Sequence, residues 1–183
     1  MMQAHWEAFY RSVKIEGSPT VCSAENCALA STRLNIQLPP SYCEYVSRFG
    51  YGEWLEDLSI LVPCEPHLVG SVEDFNLDCR SIIEEWVSYE GTKEPDRLKR
   101  LVGFMNKTDG FSFAWDPATK RSDGEMGIYL FQCPEVLEYC CHDLLMFLRD
   151  FWIGGRINEV YPFADGERWQ TKPQFKVKQA GGR

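Results

Sequence analysis

Residues 101–117 read LVGFMNKTDGFSFAWDP, and this stretch decides the fold. RLVGFMN (100–106) reads as a strand, KTDG (107–110) as a turn, and FSFAWDP (111–117) as the next strand. In the second strand Phe111, Phe113 and Trp115 share one face by strict alternation. So short a connection joins antiparallel neighbours.

Working outward, MGIYLFQ (126–132) is more uniformly apolar, which predicts a central strand. Upstream, DLSILVP (57–63) is a further strand, closed by Pro63. Between them Phe75, Cys79, Ile82, Trp86 and Tyr89 recur in steps of four and three. This predicts a helix over 71–90, opened by a capping box at Ser71-Val72-Glu73-Asp74.

The N-terminal third is helical in pattern. Trp6, Phe9, Tyr10 and Val13 stand at i, i+3, i+4 and i+7. Ser23 is a suitable N-cap for a helix over 24–34 with Cys27, Ala30 and Leu34 on one side. In LPPSYCEYVSRFGYGEW (38–54), Pro40 suits the first turn of a helix. Tyr42, Tyr45, Val46 and Phe49 make its apolar stripe, and Gly50 takes the left-handed position after it. The Gly-Tyr-Gly that follows lacks the spacing and the lysine of a phosphate loop. Downstream, Leu137, Cys141, Leu144, Leu148 and Phe151 predict a long helix over 135–152, ended by Gly154-Gly155. The segment 170–183 reads as a loosely held basic tail. The expectation is a single α+β domain over 1–183, a largely antiparallel central sheet with helices packed against it.

Composition narrows the function. The chain has 183 residues, 44% of them hydrophobic, with a net charge of −8. Its longest apolar runs fall far short of the ~20 residues that span a bilayer. The N-terminal MMQAHWEAFYRSVK does not have the pattern of a signal peptide, so a cytoplasmic location with no membrane contact is expected. The acidity is concentrated: residues 53–96 hold twelve acids against two bases, a net of −10. Such a chain is a poor nucleic-acid binder, because phosphates need clustered Lys and Arg, and a plausible partner for something basic. The alternative is a solvated face that only promotes solubility.

Eight cysteines, at 22, 27, 43, 64, 79, 133, 140 and 141, contain no C-x-x-C pair, so free thiols are expected and no metal or cofactor is. Adjacent residues on a helix point about 100° apart, which argues against Cys140, Cys141 and His142 as a ligand set. The other histidines, His5 and His67, stand in no nucleophile signature. Asp109, Asp116 and Asp123 each sit beside Gly or Pro and read as turn residues. No catalytic residue is expected.

In order, LNIQLPPSYCEYVSRFGYGEW, LVGFMNKTDGFSFAWDP, GIYLFQ and LLMFLRDFW resemble the SUKH superfamily, in particular its SMI/KNR-type domain, over about 25–155. Leu38, Pro39 and Tyr42 match the family's Leu-Pro-x-x-Tyr-x-x-Phe helix in type, with Val46 the apolar residue one place past the Phe position. Phe-Gly-Tyr-Gly stands where Asn-Gly-Gly is common, and the helix over 71–90 looks like an insert. The resemblance implies a non-catalytic binding module. Its bacterial members are typically immunity proteins that neutralise a cognate toxin, often a nuclease or deaminase. A fungal branch, the alternative reading, regulates cell-wall synthesis and signalling.

Together these readings predict a contact surface for a basic toxin drawn from Glu53, Trp54, Glu56, Asp57, Asp74, Asp78, Glu84 and Glu85. The acids would steer association and an exposed Trp54 would anchor it, unless Trp54 is a core residue at its turn.

Overall fold

The structure is a computed structural model, and it describes residues 2–54, 58–63, 71–107, 112–132, 136–160 and 173–177. Glu56, Asp57, Cys64, His67, Asp109, Phe111, Cys133 and residues 170–172 and 178–183 of the expected tail lie outside the described residues.

The chain runs α1 (Met2–Ser12), β1 (Lys14–Glu16), α2 (Ala24–Leu34), α3 (Pro40–Val46), β2 (Gly52–Trp54) and β3 (Leu58–Ile60). It continues α4 (Val72–Val87), α5 (Pro95–Leu98), β4 (Val102–Lys107), β5 (Ser112–Asp116), β6 (Gly127–Gln132) and β7 (Val136–Cys141). The last elements are α6 (Leu144–Met146), running into a π-turn at Phe147–Trp152, then α7 (Ile157–Val160) and β8 (Gln174–Val177). One eight-stranded sheet takes the order β1-β8-β2-β3-β4-β5-β6-β7. Only β1 and β8 pair parallel; the other neighbours are antiparallel. The fold class is α+β, as expected.

Alternation sends side chains to two cores. Phe113, Trp115, Ile128 and Leu130 join the main core with Trp6 and Phe9 of α1, Tyr42 and Tyr45 of α3, and Phe147 and Trp152 after α6. Ala114, Tyr129 and Phe131 face the other way, into a smaller cluster with Leu98, Ile83, Trp86 and Val87 under α4 and α5. At the centre of the main core, Phe104 stacks on Trp115 at 4.1 Å between centroids, and Tyr42 meets the same indole edge-on at 4.8 Å. The Tyr42 hydroxyl donates to the Leu61 carbonyl at 2.7 Å. Gly50 adopts φ +64°, and a Cβ there would sit 2.0 Å from the Thr20 carbonyl oxygen, so the turn after α3 admits only glycine.

Helix starts follow the caps. Ser23 and Asn26 close a reciprocal capping box on α2, and Ser71 accepts from the Asp74 N–H at the start of α4.

Four expectations are corrected. The helix over 135–152 is instead a strand, β7, followed by a helix. Asp143 is the divider: its carboxylate accepts from the Met146 N–H at 2.8 Å and starts α6 there. The apolar spacing of Leu137, Cys141 and Leu144 suits either structure, and pairing with β6 decides for the strand. The tail is not loose where it is described. Gln174–Val177 lies between β1 and β2, with Phe175 wholly buried; the alternation of Phe175 and Val177 with Lys176 was its signal. Next, α4 turns Ile83, not Ile82, toward the sheet, and leaves Ile82 and Tyr89 exposed. Both isoleucines fit the spacing from Cys79; the docking of Asn76 on β4 selects Ile83. β6, expected at the centre, is next to the edge strand and still buried on both faces.

Candidate partner-binding surface

Trp54 is a core residue and not an exposed anchor, which corrects the expectation. It is 0% exposed. Its indole N–H donates to the Tyr45 hydroxyl at 3.1 Å, and its ring lies 5.2 Å from both Phe49 and Phe175. The short strand β2 alternates, so Gly52 and Trp54 face the core while Glu53 is half-buried on the other side. Glu53 is opposite Ser59 of β3 and Lys176 of β8. It is separated from α4 by β3 and β4 and does not join the acids of that helix.

The remaining described acids are brought together by α4. Asp74, Asp78, Ser81 and Glu85 follow at i, i+4, i+7 and i+11, which aligns them along one line of the helix over about 16 Å at 1.5 Å per residue. Glu84 flanks this line. All four acids are exposed. Among them are apolar side chains equally turned outward: Leu77 is 63% exposed, Ile82 43% and Tyr89 45%. The Tyr89 hydroxyl donates to Glu85 at 2.6 Å. The result is an acidic helix face studded with hydrophobic groups. The acids were legible in the sequence; Leu77 was not singled out and Ile82 was placed on the inward stripe, because the exposure of both depends on the rotation of the helix.

The helix is held for this display from below. Glu73, buried at its first turn, accepts from the Ser71 hydroxyl at 3.1 Å and meets Arg33 of α2 at 3.4 Å. Asn76 ties the helix to the backbone of β4, and Phe75 packs where a Cβ on Gly103 would lie 2.4 Å from its ring. Glu73 and Asp74 complement the positive end of the helix dipole. Glu84 and Glu85 oppose it, for they lie in the last turn, which has no base.

Among the described residues no group of three or more His, Cys, Asp or Glu could hold a metal ion. Nor is any helix among them long and apolar enough to cross a membrane. Cys140 and Cys141 are buried in β7, and burial pushes both thiols up, that of Cys141 to about 12. The Tyr139 hydroxyl hydrogen-bonds His142 Nδ1 beside them. Asp116, read as a turn residue, does cap a turn through the Ala118 N–H. It is also fully buried and ion-paired to Arg97 and Arg100.

No protein-family model matches the chain, and no curated protein does either.

Proposed function

We propose that the protein is a non-catalytic binding module whose outward face of α4 holds a basic protein partner, a toxin of the kind neutralised by immunity proteins. The observation that carries this reading is the pattern on α4: Asp74, Asp78, Glu84 and Glu85 exposed around Leu77 and Ile82. Charge complementarity would speed encounter with a basic surface, and the apolar side chains would supply contact area once docked. Leu77 and Ile82 take the anchoring role that the buried Trp54 cannot fill. Two acids at the negative end of the helix dipole disfavour the isolated helix, and a contact made by them offsets that cost. Location in the cytoplasm belongs to the same reading.

The test compares the native chain with a variant carrying Asp74→Lys, Asp78→Lys, Glu84→Lys and Glu85→Lys. Each is immobilised and exposed to lysate at low salt. A basic protein retained by the native chain, released by salt and absent from the variant supports the proposal, and its toxicity is then measured with and without the native chain. Identical retention on both, or a retained partner with no toxicity that the native chain relieves, overturns it. Several unrelated partners on the native chain alone would point to the scaffold function of the fungal branch.

A further inference from the structure

Arg80 lies on the other flank of α4, away from the Asp74–Glu85 line, and faces a groove between α2, α4 and the α5–β4 junction. Two adjoining hollows, of about 600 and about 350 Å³, share Leu34, Asn76 and Arg80 in their walls, so they form one continuous depression with Arg80 at its middle. The floor of the larger hollow is apolar, formed by Leu34, Ile36, Ile83, Leu101 and Val102.

The cations around it differ in their commitments. Arg33 is drawn to Glu73 at 3.4 Å. Arg100 is taken up by the buried carboxylate of Asp116 at 2.7 and 2.9 Å. Lys99 reaches Asp96 only at 4.0 Å. Arg80 has no ion pair or hydrogen bond to any described residue, although Glu84 follows one turn on. The wall of the larger hollow holds Arg80, Lys99 and Arg100 against one acid, Glu84. It is a locally positive hollow beside the helix of the most acidic segment, in a chain of net charge −8, while the smaller hollow adds Arg33 against Glu73 and Asp74.

We infer that this groove binds a small apolar monoanion, a carboxylate on a hydrocarbon body. The open guanidinium fork of Arg80 matches a carboxylate two bonds at a time, with Lys99 as a second charge. The branched aliphatic floor takes the hydrocarbon, and the volume is that of a small-molecule site. The groove borders the partner face and shares Asp74, Leu77 and Glu84 with it, while Asp78, Ile82 and Glu85 do not line it.

The experiment titrates decanoate into the full chain by calorimetry, with decanol and acetate as probes lacking the charge and the chain. Arg80→Gln removes the fork, and Asp78→Asn is the control on the other flank. Both positions are exposed, and circular dichroism verifies that each variant folds. Decanoate is expected to saturate one site per chain, at least tenfold more weakly in Arg80→Gln and unchanged in Asp78→Asn. Acetate is expected not to bind, and decanol to bind at least tenfold more weakly than decanoate. No saturable decanoate binding, equal binding by Arg80→Gln, or decanol binding as tightly as decanoate overturns the inference.

Discussion

The side-chain amide of Asn76 closes both backbone hydrogen bonds of Gly103. Its Nδ2 donates to the Gly103 carbonyl at 2.7 Å, and its Oδ1 accepts from the Gly103 N–H at 2.8 Å. The same Nδ2 donates to the Val72 carbonyl at 2.6 Å within α4. One side chain therefore substitutes for a neighbouring strand at the point where the register of β4 and β5 shifts.

Replacing Asn76 by Ala leaves the Gly103 N–H and carbonyl unpaired beneath α4. A loss of about 1–3 kcal/mol per group stranded without water is the scale of such a change. Asn76→Asp keeps the acceptor for Gly103 N–H and loses the donor, so it should fall between. Urea unfolding of the three chains checks the order, and equal midpoints for Ala and the native chain would show that the clip does not hold the helix.

Asp116 is wholly buried, yet its carboxyl is held below the usual value. Burial, the largest single influence, pushes it up, and the Arg100 guanidinium, the Ala118 N–H and Arg97 together outweigh it. A carboxylate with a lowered pKa contributes stability that is present above its unfolded value and lost as pH falls through the folded one. That loss belongs below pH 3.8. Asp116→Ala takes the buried acceptor from Arg100, Arg97 and the Ala118 N–H, though Arg97 keeps Glu94 at 2.6 Å, and should cost on the order of 1–3 kcal/mol at neutral pH. Thermal melting at pH 7 measures it, and a change of under a degree would count against the pair.

Glu125 behaves in the opposite sense. Only 5% exposed, it accepts from the Ser41 N–H at 2.8 Å and the Ser41 hydroxyl at 2.7 Å. Burial, aided by Asp143 and Asp123, pushes its carboxyl up to about 7 against the lowering effect of Ser41. The folded state then holds a proton that the unfolded state has released, so stability falls as pH rises from about 4.5 to about 7. Glu125→Gln cannot titrate. Its stability relative to the native chain should rise over that window and level off above it. Chemical unfolding at half-unit steps from pH 4.5 to 8 follows the difference, and a flat difference would rule the titration out.

Leu77 and Ile82 offer a separation of binding from folding. Both are exposed, so Leu77→Ser with Ile82→Ser should leave stability within about 0.5 kcal/mol per site. Retention of the basic partner should fall at least tenfold, chiefly through faster dissociation. Surface-binding kinetics on the captured partner reads this, and an unaltered dissociation rate would remove the two side chains from the interface.

Local chemistry was the most legible part of the sequence. Ser23 and Ser71 were visible as caps, Gly50 as a left-handed stop, and the hairpin of β4 and β5 by alternation. Each of these is decided within a few residues. What stayed hidden depends on distant partners. Phe175 looks like an isolated aromatic until it is seen against Phe49 and Trp54. The spacing around Leu137 and Cys141 satisfies a helix as well as a strand, and only the proximity of β6 resolves it. On α4 the acids could be counted from the sequence, but which flank carries Ile82 and which carries Arg80 is set by the grip of Asn76 on another element.

The position of β8 between β1 and β2 has a consequence for how the chain comes to be made. β1 is residues 14–16, and its partner in the sheet is residues 174–176. During synthesis the first strand therefore waits unpaired until residues 174–176 have emerged, while the hairpins of β4 to β7 can close before them. Until then Phe49 and Trp54 lack the aromatic ring that will complete their packing. A ribosome stalled shortly before residue 174 would hold a nascent protein with most of its sheet built and its first strand still looking for a neighbour.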